Sequence, residues 1–169
     1  MKKNRRVVTL EDLPGIRTRH KDDIIVLCTG SFDLTHAGHI LFLEDCKKLG
    51  DLLVVGVGPD TEINKNKKGN RPILNEHLRL KMIDSLRPVD YSFITPLSSG
   101  KNWLNPLREI FEKLSPDIYV INSDAEDIAG RKKILKDFNI KLKILDRWAP
   151  QEFEDISTTR IIEKIKGKG

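Results

Sequence analysis

The sequence predicts an α/β fold, a three-layer sandwich on a mainly five-stranded parallel sheet. Five short apolar runs, at 24–28, 52–57, 89–94, 118–122 and 140–145, recur along the 169 residues. They alternate with segments of helical periodicity, as repeated strand–helix–strand units require. The runs are close to continuously apolar, which is the pattern of strands covered on both faces.

The elements follow in order. The 169 residues read as one domain, with 1–22 as an N-terminal extension ahead of the first strand at 24–28. A helix spans 37–49 and stops at Gly50. The second strand, 52–57, leads into a polar loop at 58–72. Asn75 caps a helix to about residue 86, with Leu78, Met82 and Ile83 on its inner face. After the third strand, 103–114 fits a helix in which Trp103 serves the core or packs a lid, in preference to stacking on a base. Asp124 caps a helix between the fourth and fifth strands, reaching to about 138, and Ser157 starts the last helix. Sheets of this kind bind ligands beyond the carboxyl ends of their strands, near the point where strand order reverses.

Composition narrows the partners. Hydrophobic residues at 38% and charged residues at 33% describe a soluble globular chain. No apolar run approaches the roughly 20 residues of a membrane span. The basic start, Lys2, Lys3, Arg5 and Arg6, is followed by a short segment containing Glu11 and Asp12, unlike a signal peptide, so a cytoplasmic location is expected. The formal charge of +5 is scattered along the chain, and two Trp and two Tyr leave no aromatic-basic interleaving. A small polyanion is therefore the expected partner, not nucleic acid and not a membrane. Cys28 and Cys46 lack metal-type spacing and read as buried thiols.

Chemistry concentrates after the first strand, in Thr29, Gly30, Ser31, Phe32, Asp33, Leu34, Thr35, His36, Ala37, Gly38 and His39. This is a strand-to-helix turn. Two imidazoles three residues apart at a helix start point the same way. Gly38 between them lets a ligand approach the backbone. The open N–H groups and positive dipole end of the helix favour an anion. The set suits a polyphosphate. A second element, Ile156, Ser157, Thr158, Thr159 and Arg160, places hydroxyls and an arginine at the start of the last helix, where they cap it or hold phosphate. Asp33 reads as a turn stabiliser or an indirect support of the site.

His36-Ala37-Gly38-His39 resembles the His-x-Gly-His signature of the cytidylyltransferase-like nucleotidyltransferases, and Ile156-Ser157-Thr158-Thr159 resembles their Ile-Ser-Thr-Thr element. The likeness covers about residues 7–166. Residues 7–13, 48–51 and 69–73 are similar to the adenylyltransferase domain of ADP-heptose synthases. Glu76-His77-Leu78-Arg79, Val89-Asp90 and Lys101-Asn102-Trp103 are similar to glycerol-3-phosphate cytidylyltransferase. The resemblance implies a Rossmann-like sheet and a homodimer. It also implies transfer of a nucleoside monophosphate, from ATP in preference to CTP, to a phosphorylated sugar or polyol.

By that likeness His36 and His39 act on the α-phosphate, while Lys68 (or Lys65 or Lys67), Arg79 and Arg147 contact phosphates. Thr29, Gly30, Ser31, Phe32, Gly38, Asp124, Ser157, Thr158 and Thr159 line the nucleotide site. Asn122-Ser123-Asp124 stands where relatives carry Gly-Gly-Asp or Gly-Asp, and the segment 147–155, with Trp148, Gln151, Glu152 and Phe153, is longer than in the glycerol-phosphate enzyme.

A phosphate monoester, whose second pKa is about 6, is already anionic and needs no general base. The work is positioning and charge neutralisation. Mg²⁺ is expected to ride on the substrate phosphates without a dedicated protein cage. Lys65, Lys67 and Lys68 form either a solvated surface or a lid. Two other readings stay open: transfer to flavin mononucleotide or phosphopantetheine, and a nucleotide-binding sensor without turnover.

Overall fold

A computed structural model describes residues 6–66, 71–98, 104–153 and 157–167. Its five strands are β1 (Ile25–Gly30), β2 (Leu52–Val57), β3 (Tyr91–Ile94), β4 (Ile118–Asn122) and β5 (Lys141–Leu145). All neighbours are parallel, in the order β3-β2-β1-β4-β5. The chain moves outward from β1 to β3, then returns to the other side of β1 for β4 and β5. The loops leaving β1 and β4 therefore diverge and open a crevice at their carboxyl ends.

The helices among the described residues are α1 (Leu13–Arg19), α2 (Ala37–Lys47), α3 (Asp60–Asn66), α4 (Glu76–Asp84), α5 (Asn105–Leu114), α6 (Ile128–Phe138) and α7 (Thr158–Ile165). Alternate residues of a strand face opposite ways, and β1 shows how this makes three layers. Ile25 and Leu27 join Leu13 and Ile16 of α1, Phe111 of α5 and Leu135 of α6. Val26 and Cys28 join Leu43 and Cys46 of α2 and Leu80 and Ile83 of α4. Leu13 and Ile16, inside the segment 1–22, are thus core residues with no exposed surface. Both cysteines are buried free thiols, and Cys28 is held above its ordinary pKa by the Cys46 thiol and by burial. Among the described residues no helix is long and apolar enough to cross a membrane.

Four elements depart from the sequence expectation. The polar loop 58–72 contains α3, whose Asp60 and Glu62 in the first turn and Lys65 in the last all suit the helix dipole. In α4, Leu78 is 51% and Met82 36% exposed, while Arg79, Leu80 and Ile83 are buried. The helix is rotated because the Arg79 guanidinium finds polar partners inside. The cap of α6 is Asp127, not Asp124; its carboxylate accepts from Gly130 N at 2.9 Å. At the sheet edge β5 is largely exposed, and Lys141 and Lys143 guard it against further pairing. Trp103 lies outside the described residues.

Candidate active site

After β1 the backbone turns sharply, with Phe32 and Leu34 in the left-handed region at φ 49° and 47°. Side chains other than glycine resist that conformation, so the surroundings must impose it. The Phe32 ring is buried against Gly30, where a Cβ would come within 3.0 Å of it. The buried Asp33 carboxylate accepts from the backbone N–H groups of Ile73 (3.0 Å) and Leu74 (3.1 Å) and pairs with Arg71 at 2.8 Å. Arg79, fully buried, donates to the Ser31 carbonyl at 2.5 Å, the Leu74 carbonyl at 2.9 Å and Asp60 at 2.6 Å. From the other side the Thr158 hydroxyl donates to the Asp33 carbonyl at 2.7 Å. Asp33 therefore organises the turn and the segment after α3.

His36 is the N-cap of α2. Its Nδ1 accepts from Gly38 N at 3.2 Å, and His39 Nδ1 accepts from His36 N at 3.3 Å. A ring nitrogen that accepts carries no proton, so in each neutral imidazole the proton sits on Nε2, which becomes a donor. The two rings lie 4.0 Å apart at 35°, and Phe32 meets the His39 ring edge-on at 5.6 Å. Reciprocal capping of the helix thus doubles as tautomer control.

Burial, and then the Arg147 guanidinium, hold the pKa of His36 below its ordinary 6.5. The unfolded chain takes up this proton first as pH falls. The stability from the neutral ring is therefore complete above pH 6.5 and declines as pH drops from there toward the folded value. An NMR titration should place the His36 midpoint below 6.5, with Arg147→Gln raising it only in part. A wild-type midpoint at or above that value would mean a solvated ring.

Both histidines open on a cleft of about 930 Å³ at the carboxyl ends of the strands. Thr29, Gly30, Ser31, Phe32 and Gly38 line it, as do Asp124, Arg147, Ser157, Thr158 and Thr159. Ser157 caps α7 by accepting from Arg160 N at 3.2 Å, so this helix start also faces the cleft. Arg147 and Asp124 form an exposed ion pair at 2.6 Å. Arg79 and Lys65 do not line the cleft: Arg79 shapes the wall from behind, and Arg71 is the guanidinium that lines the cleft from that side. Lys65 is exposed and pairs with Glu62 at 3.1 Å; Lys67 and Lys68 lie outside the described residues.

Sequence reasoning missed two features. Tyr119 of β4 is fully buried, with its hydroxyl bonded to Thr29 at 2.9 Å and to the Arg131 guanidinium, which also lies over its ring. Burial raises the phenol pKa, keeping it protonated. Arg131 is thereby brought to the cleft, although in sequence it is only the first residue of a basic triplet. Glu62 is the second: α3, inside the polar segment 58–72, sets its carboxylate in the cleft wall.

Comparison with known proteins agrees with this geometry. A family model described as cytidylyltransferase-like matches residues 27–164. The bifunctional protein HldE of Campylobacter fetus subsp. fetus is 34% identical over 164 residues, covering 96% of this chain and 32% of that protein. The FAD synthase of Ferroglobus placidus is 33% identical over 141 residues, covering 83% of this chain and 86% of its own length. The crystal structure of the lipopolysaccharide core biosynthesis protein from Thermoplasma volcanium GSS1 matches with a TM-score of 0.61 at 32% identity, over 76% of this chain and all but 1% of that one (99% covered). This chain spans about a third of the length of the bifunctional relatives, 32% in the case above.

Proposed function

The chain belongs to the cytidylyltransferase-like family of nucleotidyltransferases, and from that premise we propose that it joins a nucleoside monophosphate, from ATP or CTP, to a phosphorylated sugar or polyol. The observation that carries this reading is the pair His36 and His39, tautomer-locked at the start of α2 and opening on the cleft that α7 also enters. An oxygen of the acceptor phosphate attacks the α-phosphorus, the bond to the bridging oxygen breaks, and pyrophosphate leaves with that bond's electrons. The Nε2–H groups of His36 and His39 would donate to the α-phosphate and bridging oxygens as charge builds there. Ser157–Thr159 at the start of α7, with Lys68, would hold the departing phosphates. Arg79 would act by fixing the Ser31 carbonyl.

Among the described residues no group of three or more His, Cys, Asp or Glu side chains is placed to hold a metal. We propose that Mg²⁺ would be carried on phosphate oxygens and water and would neutralise charge on the triphosphate. ATP is preferred over CTP because residues 7–13 and 69–73 are similar to the ADP-heptose enzymes. A homodimer is proposed on the same likeness, and sedimentation would read it.

Similarity to an FAD synthase over most of that enzyme's length favours one second reading, with flavin mononucleotide as acceptor. Pyrophosphate release from ATP and from CTP, measured against sugar phosphates, glycerol 3-phosphate and flavin mononucleotide, tests both. Nucleotide binding without pyrophosphate from any acceptor would mean a sensor, not a transferase.

A further inference from the structure

The two ends of the cleft differ in chemistry. Beyond β4 and β5 it is lined by Asn122, Arg147 and Trp148, whose half-exposed ring is pinned by its Nε1–H to Asp45 of α2. An aromatic face rimmed by an amide and a guanidinium suits a nucleobase. Beyond β2 and β3 the described residues bring no aromatic ring: Pro59, Ile63, Thr95 and Pro96 form the walls, and Glu62 sits among them.

We propose that this second end holds the acceptor and that Glu62 reads its hydroxyl groups, so that the acceptor is a phosphorylated sugar or polyol and not a flat ring system. The proposal rests on the nucleotidyl-transfer reading and deepens it. Glu62 stands in the first turn of α3 with its side chain only 16% exposed. Ser98 donates its hydroxyl to Oε2 at 2.6 Å, and Lys65 reaches Oε1 at 3.1 Å. The carboxylate is thus fixed in orientation, and the Ser98 bond holds it ionised below the usual carboxylate range.

An ionised carboxylate has about four acceptor sites, so each oxygen retains capacity for a further donor. A partly buried carboxylate repels an anion and is poorly matched to an apolar face, whereas a hydroxyl satisfies it. The acceptor's own anionic group has Arg71 and the two histidines lining the same cleft. Flavin mononucleotide also carries ribityl hydroxyls, but its ring system asks for a stacking face, and Pro59, Ile63, Thr95 and Pro96 bring no aromatic ring to this end among the described residues. A phosphate joined to a run of hydroxyls, without such a ring, is what phosphorylated sugars and polyols offer.

The test compares wild type with Glu62→Ala and Glu62→Gln. Pyrophosphate release is followed with ATP and CTP against sugar 1-phosphates, glycerol 3-phosphate, phosphoethanolamine and flavin mononucleotide. A sugar or polyol phosphate should be the best wild-type acceptor. Glu62→Ala should raise the KM for that acceptor by about 10-fold or more, the scale of a lost bond to a charged group, while the nucleotide Kd from calorimetry stays within about two-fold. Glu62→Gln, whose amide oxygen still accepts, should fall between. Should Glu62→Ala fail to bind nucleotide, Glu62→Gln decides alone, and a rise confined to acceptor KM supports the assignment. An unchanged acceptor KM, or a wild-type preference for flavin mononucleotide or phosphoethanolamine, overturns it. Nucleotide binding with no pyrophosphate from any acceptor would instead defeat the transfer reading, and this inference with it.

Discussion

Replacing His36 or His39 by alanine is expected to lower turnover at least about 10²-fold, the scale of losing one preorganised donor to developing charge, while nucleotide binding survives in part. The retained binding follows from the rest of the cleft, where the start of α7 and the backbone after β1 do not depend on either ring's Nε2. His36 carries a complication, because it also caps α2. Alanine there removes the cap as well, a loss of about 1 kcal/mol in stability. His36→Asn separates the two roles: an asparagine oxygen accepts from Gly38 N as a good N-cap does, but nothing replaces the Nε2–H. Turnover in His36→Asn should therefore be as low as in His36→Ala, with unfolding close to wild type. If asparagine restored turnover, His36 would be a helix cap and not a catalytic group. Steady-state pyrophosphate assays beside urea unfolding decide this.

The fold was legible where local signals are unambiguous. The second strand runs Leu52–Val57 in both readings, because an apolar run bounded by Asp51 and Gly58 permits no other span. The turn after β1 was legible as a ligand cradle because its residue types have few other uses together. What holds that turn was not. The left-handed Phe32 and Leu34 leave no mark in composition, and Asp33 finds its partners 38 to 41 positions away, at Arg71, Ile73 and Leu74. Periodicity assigned Leu78 and Met82 to the core of α4 because apolar side chains are counted inward and arginine outward. A long side chain with carbonyl partners inside reverses that rule. Asp124 and Asp127 are equally good caps by residue type, and only the backbone, with Asp127 at φ 47°, decides between them. Tyr119 and Arg131 stand only 12 positions apart, yet they meet because the chain turns back between β4 and α6, a geometry that strand and helix periodicity does not report.

Arg79→Met tests whether that inward arginine supports the wall or touches the substrate. Methionine keeps much of the volume and the fit beside Leu80 and Ile83, so the loss is chiefly polar. It strands three acceptors: the Ser31 and Leu74 carbonyls and the Asp60 carboxylate. Breaking a buried ion pair from one side costs about 3–5 kcal/mol, and Asp60, itself about a third exposed (31%), can recover some hydration, which places the expected loss toward the lower figure. Denaturant unfolding should show a midpoint shift of that order. Turnover should fall with it, since Ser31 and the left-handed Phe32 lose the group that fixes them beside the cleft. The resemblance that assigns Arg79 to a phosphate makes the opposite forecast, a protein of undiminished stability whose nucleotide affinity collapses. Full burial and three internal partners favour the first outcome. A stable Arg79→Met protein with a large rise in nucleotide Kd would show that the guanidinium leaves these partners when the triphosphate arrives.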